Sequence, residues 1–265
     1  MAGLELCEPR HLYNILNQHR RYPRLAEPHY LCLLDVRTQR EYNESHIITA
    51  RRIEQSPTGE YLVPDSEELG CVRYCVVYDC ETSSLDCCDY KEEEKGKGTA
   101  IQYARSLEQF TRHPVLVLKG GYKYFSACYH FLRTQKILWM PQELENFQPY
   151  PVEILPAKLY MGNFKQACDQ QIQKDLKIKA QVNISEQHLD HGAVLVFSSL
   201  GISRSSTVTI AYLMHSCQFS LKRAWDYVLK CKTNMRPHRG FVKQLSDWET
   251  KIYRSTITDT SEPNY

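Results

Sequence analysis

The sequence predicts an α/β protein built in two successive halves, and three observations carry that reading. Short, near-continuous apolar runs recur at 30–36 (YLCLLDV), 75–78 (CVVY), 114–118 (PVLVL), 179–184 (KAQVNI) and 193–197 (AVLVF). They are rich in β-branched residues, as strands covered on both faces are. Segments with helical spacing lie between them, and strands alternating with helices imply parallel sheets. A stretch with four prolines, 136–156, separates the first three runs from the last two, so 265 residues divide into two ordinary domains.

Composition narrows the function classes. A formal net charge of +2 gives no basic excess for nucleic acid and no acidic tail. No apolar run approaches a membrane span, and the first residues, MAGLELCEPRHLYNILNQ, lack a signal-peptide core. The 11 cysteines are odd in number and read as reduced thiols in an intracellular, cytoplasmic setting. Cys71, Cys75, Cys80, Cys87 and Cys88 crowd one region without a paired C-x-x-C spacing, so no metal and no cofactor are expected.

Along the first half, Leu12, Ile15 and Leu16 share one helical face behind Pro9, a helix starter. The segment 101–110 (IQYARSLEQF) reads as a second helix, and 92–98 (EEEKGKG) as a solvated loop. In the second half, 153–155 and 159–161 read as short strands with Gly162 as a turn. Next come a helix over 168–176 and a buried strand over 179–184. Leu221, Ala224, Val228 and Cys231 line one face of a helix over 220–232.

The chemistry-bearing stretch is 193–215 (AVLVFSSLGISRSSTVTIAYLMH). A strand runs into a polar loop, Ser198, Ser199, Leu200, Gly201, Ile202, Ser203, Arg204, and then into a helix from Ser205 that is apolar on nearly every face. A strand, a glycine-bearing loop and a helix N-terminus make an anion cradle, and Arg204 adds a bidentate cation. The loop resembles the phosphate loop of protein tyrosine and dual-specificity phosphatases, His-Cys, two residues, Gly, two residues, Arg, then Ser or Thr. Gly201, Arg204 and Ser205 fit, while Phe197 stands in the His place and Ser198 in the Cys place. A thiolate forms near neutral pH in such a field and an alkoxide does not, so Ser198 needs a base. His188 and His191 lie roughly 16 Å away along the strand, and His215 roughly 16 Å along the helix, so neither end serves.

The flanking text widens the resemblance. Leu34-Asp35-Val36-Arg37, Glu41-Tyr42, His46-Ile47, Ala50, Ile53, the run from Val117 to Tyr122, and Phe125 resemble a rhodanese or CDC25-like domain of the kind that precedes the catalytic domain in MAP kinase phosphatases. The resemblance implies a rhodanese-like parallel α/β domain followed by a truncated dual-specificity-phosphatase-like α/β domain. The expected division is 1–135, a connector over 136–152, a phosphatase-like domain over 153–255 and a tail over 256–265. Asp35 and Arg37 read as structural anchors. Cys80 falls one place late for a persulfide cysteine, and the residues after it carry acids and no Lys or Arg, which raises a thiol pKa. Arg51 and Arg52 lie where relatives carry a kinase-docking cluster, in a thin version of it.

One departure is large. Only seven residues, from Glu186 to Gly192, connect two strands that family members separate by a strand, a helix and the general-acid aspartate. Asp190 precedes the second strand and does not replace that acid. A parallel return normally takes a dozen residues or more, so a strained or poorly packed second half is expected. The reading is a MAP-kinase-phosphatase-like pseudophosphatase with no catalytic residue. It would regulate or scaffold proteins of phosphorylation signalling, whether phosphoproteins, kinases or active phosphatases. Two other classes stay open: a weak enzyme, either a phosphatase through Ser198 or a sulfurtransferase through Cys80, and an interaction module with no ligand pocket.

Overall fold

The structure, a computed structural model, describes residues 3–20, 22–54, 56, 61–85, 99–138, 140–184 and 194–261. The expectations placed on the connection from Glu186 to Gly192, on Asp190, His188 and His191, on 92–98, and on Cys87 and Cys88 lie outside these residues. Two compact units divide the chain, Met1–Tyr13 with Tyr22–Phe147, and Asn14–Arg21 with Gln148–Tyr265. Residues 14–21 group with the second unit because their side chains bond there. Asn14 Nδ2 donates to the Glu153 carbonyl at 2.9 Å, and Gln18 Nε2 donates to the Cys231 carbonyl at 2.9 Å.

The first unit contains β1 (Leu4–Cys7), the first residues of α1 (Pro9–Leu16), β2 (Leu31–Asp35), α2 (Gln39–Glu44), β3 (His46–Ile47), β4 (Arg51–Arg52) and α3 (Ser66–Cys71). It continues through β5 (Tyr74–Tyr78), α4 (Thr99–Leu107), β6 (Val115–Leu118), α5 (Gly121–Cys128), β7 (Arg133–Thr134) and α6 (Pro141–Glu145). Five strands form a parallel sheet in the order β1-β6-β5-β2-β4, and β3 pairs with β7 antiparallel. The apolar runs are its central strands, as expected. β1 is an edge strand that its Glu5-interrupted pattern conceals. Alternate residues Cys32, Leu34, Cys75, Val77, Val115 and Val117 pack under Ala100, Ile101, Tyr103, Ala104 and Leu107 of α4. Each such apolar side chain contributes about 1.5–3 kcal/mol on burial.

Asp35 ends β2 fully buried and accepts from Arg37 N at 2.9 Å, Nε at 3.0 Å and Nη2 at 2.6 Å. The guanidinium also donates to the Ser45 carbonyl at 2.8 Å and lies 3.7 Å from the Tyr122 ring centroid. Both side chains are thus anchors of the sheet's C-terminal edge.

The second unit contains β8 (Val152–Leu155), β9 (Leu159–Asn163), α7 (Phe164–Cys168), α8 (Gln170–Asp175), β10 (Ala180–Asn183), β11 (Val194–Ser198), α9 (Arg204–Ser216), α10 (Leu221–Cys231) and α11 (Arg239–Tyr253). Its sheet has the order β10-β11-β9-β8, with only β8 antiparallel to its neighbour. Val152, Ile154, Leu159, Met161 and Val196 meet α9, α10 and α11 on one face. Phe197, one residue on, turns to the other face, with its ring centroid 6.2 Å from that of Phe164.

Four local expectations are corrected. Gly162 lies inside β9, not at a turn. The helix expected over 168–176 is two helices, split where Asp169 caps α8 by accepting from Gln171 N and Ile172 N. The strand at 180–183 is an edge strand with Val182 40% exposed, because β11 alone pairs with it. α9 is not buried all round, since Val208 and Tyr212 leave one apolar face open at 36% and 49% exposure.

The tail is not free. Glu249 of α11, fully buried, accepts from Leu221 N at 2.6 Å, Ile257 N at 3.1 Å, Thr258 N at 2.8 Å and Thr258 Oγ1 at 2.9 Å. One carboxylate therefore fixes the start of α10 and the residues after α11.

Removing Asp35 strands a buried guanidinium. Asp35→Ala is expected to destabilise the protein by about 3–5 kcal/mol in urea unfolding. Arg40→Ala, which breaks a pair whose side chains are 88% and 64% exposed, should shift it by about 0.5 kcal/mol or less.

Candidate functional site

β11 delivers Ser198 to the floor of the loop, 3% exposed. Its hydroxyl lies 3.3 Å from Ser205 Oγ, to which it donates, and it accepts from Gly201 N at 3.2 Å. Both ends of the hydroxyl are therefore occupied by neutral partners, and neither is a base. Gly201 takes φ +68°, and a side chain there would meet the Gly162 carbonyl at 2.5 Å, so the residue must be glycine.

The loop carbonyls are tied outward. Ile202 O accepts from Arg236 N at 3.1 Å and from Ser206 Oγ, and Ser203 O accepts from Thr207 Oγ1 at 2.9 Å. Among the described residues, the amides of Ile202, Ser203, Arg204 and Ser205 meet no acceptor. They open the N-terminus of the 13-residue α9, whose dipole favours an anion. Arg204 is exposed and donates from Nη2 to Ser199 Oγ at 3.0 Å. Leu200 projects at the rim, 74% exposed.

His238 is a neighbour that strand and helix distances alone do not reveal. Its backbone N donates to Ser203 Oγ at 3.0 Å, because the segment before α11 folds back along the loop. Its ring is engaged elsewhere, with Nδ1 accepting from Gly240 N at 3.2 Å. His215 stacks on Trp248, ring centroids 6.3 Å apart.

The loop after β5 has the opposite character. Cys80 Sγ donates to Glu41 Oε1 at 3.1 Å. The other carboxylate oxygen, Oε2, belongs to the capping box of α2, accepting from Thr38 N at 3.0 Å and Thr38 Oγ1 at 2.6 Å. The Thr38 hydroxyl above all holds the Glu41 carboxyl below the usual carboxylate range. Burial first and Glu41 second push the Cys80 thiol up to about 12. The amides at the start of α5 are largely taken among the described residues. Gly120 N, Tyr122 N and Lys123 N donate to the carbonyls of Thr82, Asp79 and Cys80 at 2.6, 2.8 and 3.0 Å. Glu41 and this pinned backbone are what the sequence leaves unannounced, although the Thr38-x-x-Glu41 capping spacing is legible in it.

Arg51 and Arg52 sit on β4, an edge strand. Arg51 Nη1 is paired with the Glu68 carboxylate at 3.1 Å, and Arg52 Nε is buried without a partner among the described residues. Among the described residues no cluster of three His, Cys, Asp or Glu is placed to hold a metal ion. No helix there is long and apolar enough to cross a membrane.

Comparison with known proteins places matches on both units. The dual specificity phosphatase catalytic domain matches residues 166–251, and the rhodanese-like domain matches residues 22–128. Dual specificity protein phosphatase 5 of Homo sapiens is 33% identical over 144 residues, covering 40% of this chain and 37% of that protein. Dual specificity protein phosphatase 1-B of Xenopus laevis is 26% identical over 304 residues, covering 86% of this chain and 80% of that protein. A probable rhodanese domain-containing dual specificity protein phosphatase of Dictyostelium discoideum is 27% identical over 178 residues, covering 52% of this chain and 37% of that protein. The human and rat phosphatases 5 are thus matched over less than two-fifths of their length. The 144 positions shared with the human protein take in only 40% of a 265-residue chain, so that alignment opens gaps of several tens of positions opposite this chain. Among solved structures, human DUSP28 superimposes with TM-score 0.37 at 23% identity, covering 40% of this chain and 97% of that one. The human tyrosine phosphatase-like serine/threonine/tyrosine-interacting protein superimposes with TM-score 0.34 at 23% identity, covering 39% and 97%.

A thiol held up to about 12 is almost wholly protonated at neutral pH. The alkylation rate of Cys80 by iodoacetamide is expected to rise about tenfold per pH unit from 7 to 10 without levelling off. Exposed Cys71, Cys128 and Cys168 should react first at pH 7.5, and Glu41→Gln should speed Cys80.

Proposed function

We propose that this chain, a rhodanese-like domain joined to a dual-specificity-phosphatase domain, is a pseudophosphatase that grips a phosphate without cleaving it. One observation carries the reading: among the described residues, four amides at the start of α9 meet no acceptor, while the side chain beneath them is a neutral, doubly hydrogen-bonded hydroxyl. Phosphoryl transfer to the protein needs an anionic nucleophile and a donor for the leaving oxygen. Ser198 has no base on its hydroxyl, and an ordinary alcohol stays protonated in a field that would ionise a thiol. Oxyanion binding needs neither, since amides, helix dipole and a swinging Arg204 suffice.

The proposed ligand is a phosphorylated side chain on a protein partner. Leu200 at the rim offers an apolar contact for the residues flanking it. Held there, a phosphoprotein is shielded from active phosphatases or brought beside another protein of phosphorylation signalling. Cys80 does not favour the sulfurtransferase alternative, because its thiol is held neutral against Glu41.

Titration with inorganic phosphate, followed by amide NMR, tests the reading. The expected result is saturable shifts at Gly201, Ser203 and Arg204. Arg204→Ala should weaken binding about tenfold or more, the loss of one charged hydrogen-bonding partner. Unmoved loop amides would leave an interaction module without a ligand pocket and overturn the proposal.

A further inference from the structure

The sheet of the first unit holds two cysteines that the phosphatase reading does not use. Cys32 of β2 and Cys75 of β5 are direct register partners on neighbouring parallel strands. Both are 2% exposed and point to the same face, in the cluster under α4. Neighbouring strands run about 4.8 Å apart, inside the roughly 4.4–6.8 Å Cα separation that a disulfide spans. The pairing of β2 with β5 runs unbroken from Leu31–Tyr74 to Asp35–Tyr78, so the sheet itself holds the two cysteines side by side.

We propose that Cys32 and Cys75 are a peroxide-oxidisable dithiol, a modification site in the core of the rhodanese-like domain. The two thiols are unequal. The interaction between the two thiols favours ionisation of Cys32 and disfavours that of Cys75, and the Arg51 guanidinium helps hold Cys32 down against burial and Glu68. Cys7 shows the alternative, since burial above all, with the Glu8 charge adding to it, pushes it up to about 12. Cys32 is therefore the attacking sulfur and Cys75 the resolving one. Tyr103, whose own ionisation is raised by burial and by both cysteines, closes the site from α4.

The chemistry balances with hydrogen peroxide as the oxidant. The Cys32 thiolate attacks one peroxide oxygen, the O–O bond breaks, and the departing hydroxide takes up the proton Cys32 released, leaving a sulfenic acid and one water. Cys75 sulfur then attacks the Cys32 sulfur. The S–O bond breaks, and hydroxide leaves with the Cys75 proton as a second water. Two thiols and one peroxide become one disulfide and two waters, with two electrons passing to the peroxide. The product closes a loop that contains β4 and α3, and it pins β2 to β5 beside Arg51 and Glu68.

The test uses the full native chain. Protein is treated with hydrogen peroxide, denatured in light iodoacetamide, reduced, and labelled with heavy iodoacetamide before peptide mass spectrometry. The expected result is joint heavy labelling of Cys32 and Cys75, a linked peptide two hydrogens lighter in the unreduced sample, and reversal by dithiothreitol. Cys75→Ser should abolish the linked peptide and leave on Cys32 a sulfenic acid that dimedone traps. The wild-type map stands by itself if that variant does not fold. Light labelling of both residues while exposed Cys71, Cys128 and Cys168 oxidise would overturn the proposal. So would pairing of Cys32 with another cysteine, or linkage that appears only in denaturant.

Discussion

The second unit depends on a contact in which no side chain takes part. Gly201, in the left-handed region at φ +68°, brings the loop after β11 so close to β9 that a methyl group would sit 2.5 Å from the Gly162 carbonyl. That approach holds the loop and the start of α9 against the sheet. Gly162 is itself hemmed in, with Gln166 Oε1 2.8 Å from where its Cβ would be. Gln166 in turn serves the cap of α7, its Oε1 accepting from Asn163 N at 3.0 Å. The cradle is thus fixed by backbone packing, which is indifferent to whether residue 198 carries sulfur or oxygen.

On the proposed reading, that indifference is what lets binding and turnover separate. The field at a helix N-terminus stabilises any anion placed in it, but it creates a nucleophile only from a group already close to ionising. Ser198 is not such a group, and its hydroxyl is used to stitch Gly201 to Ser205. The first unit silences its own cysteine by a different route. Glu41, ordered by the capping box of α2, puts a carboxylate against Cys80 Sγ, and α5 ties down the surrounding carbonyls. One site keeps the anion cradle without the reactive sulfur. The other keeps a sulfur without the cradle.

Much of this was legible in the chain. Fully buried parallel strands announce themselves as unbroken apolar runs, so β2, β5, β6 and β11 stood out, and the Gly201–Arg204–Ser205 spacing placed the loop. The split at Asp169 is a local cap, but the other misses depend on partners distant in sequence. β1 alternates with charge because it is an edge strand, and α9 reads as buried all round although one face, at Val208 and Tyr212, is open. Asn14 reaching Glu153, Glu249 reaching Leu221 and Glu41 reaching Cys80 are long-range polar bonds, and no local pattern encodes them.

The central claim is that an alcohol at residue 198, inside a pocket for oxyanions, holds phosphate and never becomes phosphorylated. Intact-mass spectrometry of the full chain, quenched during prolonged incubation with p-nitrophenyl phosphate, tests it most directly. The account predicts an unmodified mass and no nitrophenol above the Ser198→Ala control. A phosphoryl adduct mapped to Ser198, formed and discharged as nitrophenol accumulates, would contradict it.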